Sequence, residues 1–233
     1  MSIFAIGDLH LSLGADKPMD VFGGWDNYVE RLEKNWKSIV APEDTVVLCG
    51  DLSWSMKLEN TAEDFGFINS LPGRKLIIKG NHDYWWTTRR KMENFFAASG
   101  FDTLGFIHNS ACAVGDICLC GTRGWAYDAG LDEEKYLNRE AGRLSASLDE
   151  AAKTGLEPVV FLHYPPIFGD YVCEAIVEVL HRYNVKRCYY GHLHGYSHSR
   201  AAVGEIDGIK YSLVACDYTD FTPVLVQKQK INN

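Results

Sequence analysis

Three times in the first eighty-three residues a short, mostly apolar run stops at glycine and a polar side chain. SIFAIG stops at Asp8, TVVLCG at Asp51 and KLIIKG at Asn81. Between these runs, residues 25–40 carry Trp25, Val29, Leu32, Trp36 and Ile39 at helical spacing, and residues 59–71 read as a second helix. Pro42 and Pro72-Gly73 close the two helical segments. Continuous apolar strands separated by helices predict a parallel sheet covered on both faces. Ligands of such sheets bind beyond the carboxyl ends of the strands, so the chemistry is expected along one edge.

The second half extends the pattern. A helix is expected over 87–98, short strands over 103–121 with a turn at Gly115-Asp116, and an irregular loop over 122–131. A long helix follows over 132–153, then a strand over 158–162 ending at His163, a helix over 171–183, and a strand over 187–190 ending at Gly191-His192. The tail, 201–228, reads as strands with a tight turn at Asp207-Gly208. There is no repeat or linker, so the 233 residues are read as one α/β domain spanning 1–233.

Composition narrows the function classes. Hydrophobic residues make up 46%, enough for a sizeable core. No apolar run approaches the ~20 residues of a membrane span. The opening MSIFAIGDLH has no basic region and meets an acid and a histidine within ten residues, so a cytoplasmic protein is expected. The net charge of -8 disfavours binding to a nucleic-acid backbone. An anionic substrate then needs local positive charge, which bound metal ions would supply. The seven cysteines are odd in number, lack a CxxC spacing and mostly sit in apolar runs, so they are read as reduced core thiols, Cys118 and Cys120 on one face of a strand.

Five polar clusters stand at expected strand ends: Asp8-Leu9-His10, Gly50-Asp51, Gly80-Asn81-His82-Asp83, His163 and Gly191-His192-Leu193-His194. Carboxylate, imidazole and amide are ligands that suit manganese, iron, zinc or nickel. The i, i+2 spacing of two clusters turns both polar side chains to one face of an extended backbone. Each cluster alone reads as turn or cap chemistry. Five along one sheet edge do not.

In order, GDLH, GDLSW, GNHD, FLHYPP and GHLH resemble the five blocks of the calcineurin-like metallophosphoesterases, DxH, GD, GNH(D/E), H and GHxH, over residues 7–194. The resemblance implies an αββα four-layer sandwich, two mixed sheets flanked by helices. It implies two divalent metal ions: Asp8, His10 and His194 as ligands of the first, Asn81, His163 and His192 of the second, and Asp51 bridging both. It makes His82 the non-ligand histidine beside the substrate, with Asp83 orienting it. The expected activity is hydrolysis of a phosphomonoester or phosphodiester by a metal-bridging hydroxide, with His82 as general acid or phosphate stabiliser.

The second block departs from the Ser/Thr protein phosphatases, which read GDxVDRG; here Leu52-Ser53-Trp54 brings no arginine. Protein phosphatase activity is therefore disfavoured, and small-molecule monoesters and diesters are left open. Arg123, Trp125 and Tyr127 in the loop over 122–131 are candidate substrate contacts. Trp85 and Trp86 are read as core, Arg89 and Arg90 as a solvated helix face, and His198 as a surface histidine. With no inserted cap, the metal-facing edge is expected to be open. Two other readings compete: a nuclease of the same superfamily, disfavoured by the acidic chain, and an idle scaffold, disfavoured because every motif residue is present.

Overall fold

In a computed structural model the chain is described over residues 1–124 and 133–228. The first sheet has the order β13-β1-β2-β3-β4, built from Val224–Lys228, Ser2–Ile6, Thr45–Leu48, Arg74–Ile77 and Leu104–Phe106. Strands β1 to β4 run parallel, and β13 is antiparallel to β1. The second sheet has the order β11-β12-β10-β7-β6-β5, from Gly204–Ile206, Ile209–Leu213, Arg187–Tyr190, Glu157–Leu162, Ile117–Thr122 and Ser110–Val114. Its four central strands are parallel and its two outer ones antiparallel.

Side-chain alternation explains why two sheets stack. Ile3, Ala5, Val47 and Leu76 point into one cluster with Leu119, Val159, Phe161 and Tyr189 of the other sheet. Their neighbours Phe4, Ile6, Val46 and Leu48 point the other way, against Leu32 and Trp36 of α1 (Tyr28–Ile39), Phe65 and Ile68 of α2 (Ala62–Ser70) and Phe96 of α3 (Arg89–Ser99). The second sheet turns Cys118, Cys120, Val160 and Cys188 towards Leu144 and Leu148 of α4 (Glu133–Ala152) and Val179 of α5 (Glu174–Arg182). Strands apolar on both faces are thereby buried on both, giving the expected four-layer arrangement. All seven cysteines are free, six of them buried.

Element boundaries move where local geometry intervenes. The helix expected from residue 25 starts at Tyr28, because Asn27 takes a left-handed φ of 51° and Trp25 packs against His10 and Tyr28 instead. The segment expected as helix from 171 begins with Tyr171–Val172 paired to Ile167–Phe168, and α5 starts only at Glu174. Asp207 and Gly208, at φ 49° and 77°, make the expected tight turn between β11 and β12.

Helix α3 ends in a Schellman motif. Phe101 N–H reaches Phe96 C=O at 2.9 Å, Gly100 N–H reaches Ala97 C=O, and Gly100 sits at φ 72°. No neighbouring atom crowds a Cβ there. Gly100→Ala is therefore expected to cost about 1–2 kcal/mol from left-handed strain alone. Thermal unfolding should show a fall of about 2–8 °C.

Candidate metal centre

Strands β1, β2 and β3 of one sheet and β7 and β10 of the other end along a common edge, and every motif residue lies just past one of those ends. Asp8 and His10 follow β1, Asp51 follows β2, Asn81 to Asp83 follow β3, His163 follows β7, and His192 and His194 follow β10. Asp8, His10, Asp51 and His192 all hold positive φ, between 45° and 73°. Non-glycine residues take that region at a cost that the surroundings must offset. Here the carboxylates offset it. Asp8 accepts the His192 N–H at 2.9 Å, and Asp51 Oδ1 accepts the His82 N–H at 2.7 Å. Gly80 and Gly191 are required beside them, because a Cβ on either would collide with the Asp51 or Asp8 carboxylate.

Two donor groups result. Ligand atoms of Asp8, His10 and His194 lie within 4.8 Å of one another, as do those of Asp51, His163 and His192. Each group takes residues from both sheets. Asn81 joins the second, its Oδ1 being 2.6 Å from His163 Nε2 and 3.0 Å from His192 Nδ1. Asp51 Oδ2 faces both groups, 3.5 Å from His163 Nε2 and 3.9 Å from His10 Nε2.

The donor chemistry fits cations. His163 Nδ1 is 2.9 Å from the Cys49 carbonyl, which can only accept, so Nδ1 carries the proton and Nε2 a lone pair. Burial lowers the pKa of His163 and of His192 to about 3 and depresses that of His10, so all three rings are neutral. A bare Nε2 lone pair 2.6 Å from an amide oxygen is repulsive unless a positive charge lies against both. Burial raises Asp51 to about 6 and Asp8 well above its ordinary value, because the charged carboxylates are held out of water, a cost that a cation against them would offset.

The sequence missed Asp217. It follows the end of β12, a strand parallel to β10, and its Oδ1 accepts His194 Nδ1–H at 2.9 Å, leaving His194 Nε2 towards Asp8 and His10. Burial alone would lower the His194 pKa, but the bond to Asp217 and the charges of Asp8, Asp217 and Asp51 outweigh it and raise it to about 9. His198, expected at the surface, is drawn into this arrangement: Nε2 lies 3.1 Å from the Leu193 carbonyl and 3.3 Å from Asp217 Oδ2.

Asp83 differs from expectation as well. Its Oδ2 accepts the N–H groups of Gly80 (2.7 Å) and Asp51 (3.0 Å), and its Oδ1 those of Leu52 (2.9 Å) and the Trp85 indole (3.0 Å). It ties the loop after β2 to the loop after β3. The hydroxyl of Tyr84, 3.1 Å away, is what faces His82 Nδ1.

The first donor group opens into a cavity of about 560 Å³ lined by His10, His82 and His194 together with Met19, Phe22, Trp25 and Trp54. The edge is thus less open than expected. His10 is buried under Trp54, with ring centroids 4.8 Å apart, while His194 remains 34% exposed. Trp85 is core, as expected, and Arg89 pairs with Glu93 on an exposed helix face. Arg123 lies beside the centre, its carbonyl accepting the His163 N–H at 3.0 Å. Trp125 and Tyr127 fall outside the described residues.

The profile of the calcineurin-like phosphoesterases matches residues 1–196. The chain belongs to that family. It is similar to the Gene 66 protein of Mycobacterium phage L5, 38% identical over 133 residues, which are 56% of this chain and 61% of that protein. The alignment therefore spans about three-fifths of that relative's length. Among solved structures, the protein TT1561 of Thermus thermophilus has a TM-score of 0.56 at 13% identity, covering 97% of both chains. A phosphopantetheinyl hydrolase of Mycobacterium tuberculosis has a TM-score of 0.52 at 14% identity, covering 100% of this chain and 98% of that one. At these identities the likeness concerns the fold alone. Among the described residues no helix is long and apolar enough to cross a membrane.

Proposed function

We propose that this chain is a metal-dependent phosphoesterase that works with two divalent cations on a small organic phosphate ester. The observation that carries the reading is the meeting of the two donor groups at the Asp51 carboxylate. Asp8, His10 and His194 would hold one cation, Asn81, His163 and His192 the other, and Asp51 both. When bound, two such cations acidify water and neutralise the phosphoryl oxygens. Manganese, iron, zinc and nickel all suit the donor set.

The remaining steps belong to the chain's own residues. His82 lines the cavity and is the group we assign to proton donation, either to the leaving oxygen or to a phosphoryl oxygen. Tyr84, at its Nδ1, fixes the ring so that Nε2 serves the ester. The apolar wall of Met19, Phe22, Trp25 and Trp54 would receive the organic group of the ester and exclude water from it. Trp54 stands in the block where protein phosphatases carry arginine, which favours small substrates over phosphoproteins.

The direct test is turnover of nitrophenyl phosphate and bis(nitrophenyl) phosphate by metal-reconstituted protein. Metal-dependent release of nitrophenol is expected, and the preferred ester separates monoesterase from diesterase. Stoichiometric metal binding without turnover of either would favour the scaffold reading.

Asp217 supplies a sharper prediction. His194 is protonated below a pKa of about 9, and a cation must displace that proton. Apparent affinity at the first group should therefore rise with pH up to about 9 and then level off. Asp217→Ala removes the bond and charge that raise His194, so the plateau should begin nearer neutrality. Its height should fall by about 10–100-fold, because the ring is no longer oriented. Metal titrations at several pH values read both effects.

A further inference from the structure

A second cavity, of about 440 Å³, is lined by Lys79, Arg123, Arg139, Arg143, His108 and Glu140, among others. Four cations face one carboxylate there, in a chain whose net charge is -8. The carboxylate is already engaged: Glu140 pairs with Arg143 and accepts the Thr122 hydroxyl at 3.1 Å. The excess positive charge is felt by His108. Burial lowers its pKa to about 3, with Arg143, Lys79 and Arg123 adding to the effect.

The position of this cavity gives it meaning. Lys79 follows β3, two residues before Asn81, and Arg123 follows β6, whose carboxyl end lies on the same edge as that of β7. The Arg123 carbonyl accepts the N–H groups of His163 (3.0 Å) and Tyr164 (2.9 Å). The basic cavity therefore adjoins the second donor group, whereas the apolar cavity opens on the first, and none of the described residues lines both. Cations gathered in one recess repel one another, and a bound anion offsets that repulsion. Guanidinium forks suit the tetrahedral oxygens of phosphate.

We propose that the basic cavity is a subsite for a second phosphate, so that the preferred ester carries at least two phosphoryl groups, one cleaved and one held by Lys79, Arg123, Arg139 and Arg143. The inference rests on the phosphoesterase reading above, and its test has one arm that does not.

In the first arm, the metal-loaded protein is given a nucleoside 5′-phosphate and the matching 3′,5′-bisphosphate. The expected kcat/KM favours the bisphosphate by about tenfold or more, and this ratio falls towards one in Arg139→Gln/Arg143→Gln. In the second, inorganic pyrophosphate is titrated calorimetrically into the full chain with chelator present. The expected binding weakens by about tenfold or more in the same variant. Should the double variant lose its circular-dichroism signature, Arg139→Gln alone replaces it, since Arg139 is exposed. Pyrophosphate binding that depends on the arginines, with neither ester hydrolysed, keeps the subsite and overturns the phosphoesterase reading. Both esters turned over at equal kcat/KM, with pyrophosphate binding absent or unchanged by the substitutions, overturns the subsite and keeps the phosphoesterase. A free phosphate site serving regulation instead would bind pyrophosphate through the arginines but leave the substrate ratio at one, which overturns the substrate assignment.

Discussion

Asp51→Asn is expected to lower kcat for ester hydrolysis by roughly 10³-fold or more, since a bridging carboxylate supports several kcal/mol of charge stabilisation. The substitution is nearly isosteric. Asparagine can still accept the His82 N–H through Oδ1, so the loop after β3 keeps its anchor. What is lost is the negative charge at Oδ2, the atom that faces His163 and His10. An amide nitrogen there offers a donor where the two proposed cations would need an acceptor. Metal content measured by mass spectrometry should fall below two per chain while circular dichroism stays as in the parent. Undiminished turnover with one metal per chain would sink the two-cation reading.

Asp83→Ala is expected to cost at least about 4 kcal/mol of stability, because four buried N–H donors lose their acceptor at about 1–3 kcal/mol each. For a domain of this size that is a fall in melting temperature of about 8–16 °C or more. Burial, the Asp51 charge and the opposing pull of backbone donors leave this carboxyl with a pKa of about 7. Asp83→Asn keeps one acceptor oxygen and should fall between parent and alanine. Activity should drop with stability, since the Asp51 backbone is among the groups released. A variant that melts like the parent but has lost activity would instead restore Asp83 to a role at His82.

Much of this was legible in the sequence. Asp8, Asp51, Asn81, His163, His192 and His194 each follow an apolar run closely, and a strand that stops at glycine announces where its neighbours will converge. The steric demand at Gly80 and Gly191 is the physical content of that signal. Asp217 obeys the same grammar, with YSLVAC running into an acid, but without the glycine. His198 could not be read without it, since its value depends on a partner far along the chain. Asp83 misled because sequence adjacency to His82 says nothing about direction; its side chain turned to the amides of Asp51 and Leu52, in the loop after another strand. The basic cavity was hidden for a related reason. Lys79, Arg123, Arg139 and Arg143 become neighbours only once α4 lies across β6.

Each donor group draws from both sheets, so neither exists until the two have stacked in register. Neither group is complete until β10 has docked, because each takes a histidine from the loop that follows that strand. On the two-cation reading, bound ions would act as rivets through the seam, stabilising the stacked state by mass action. Starving the protein of metal would therefore loosen the fold's central joint as well as silence its chemistry.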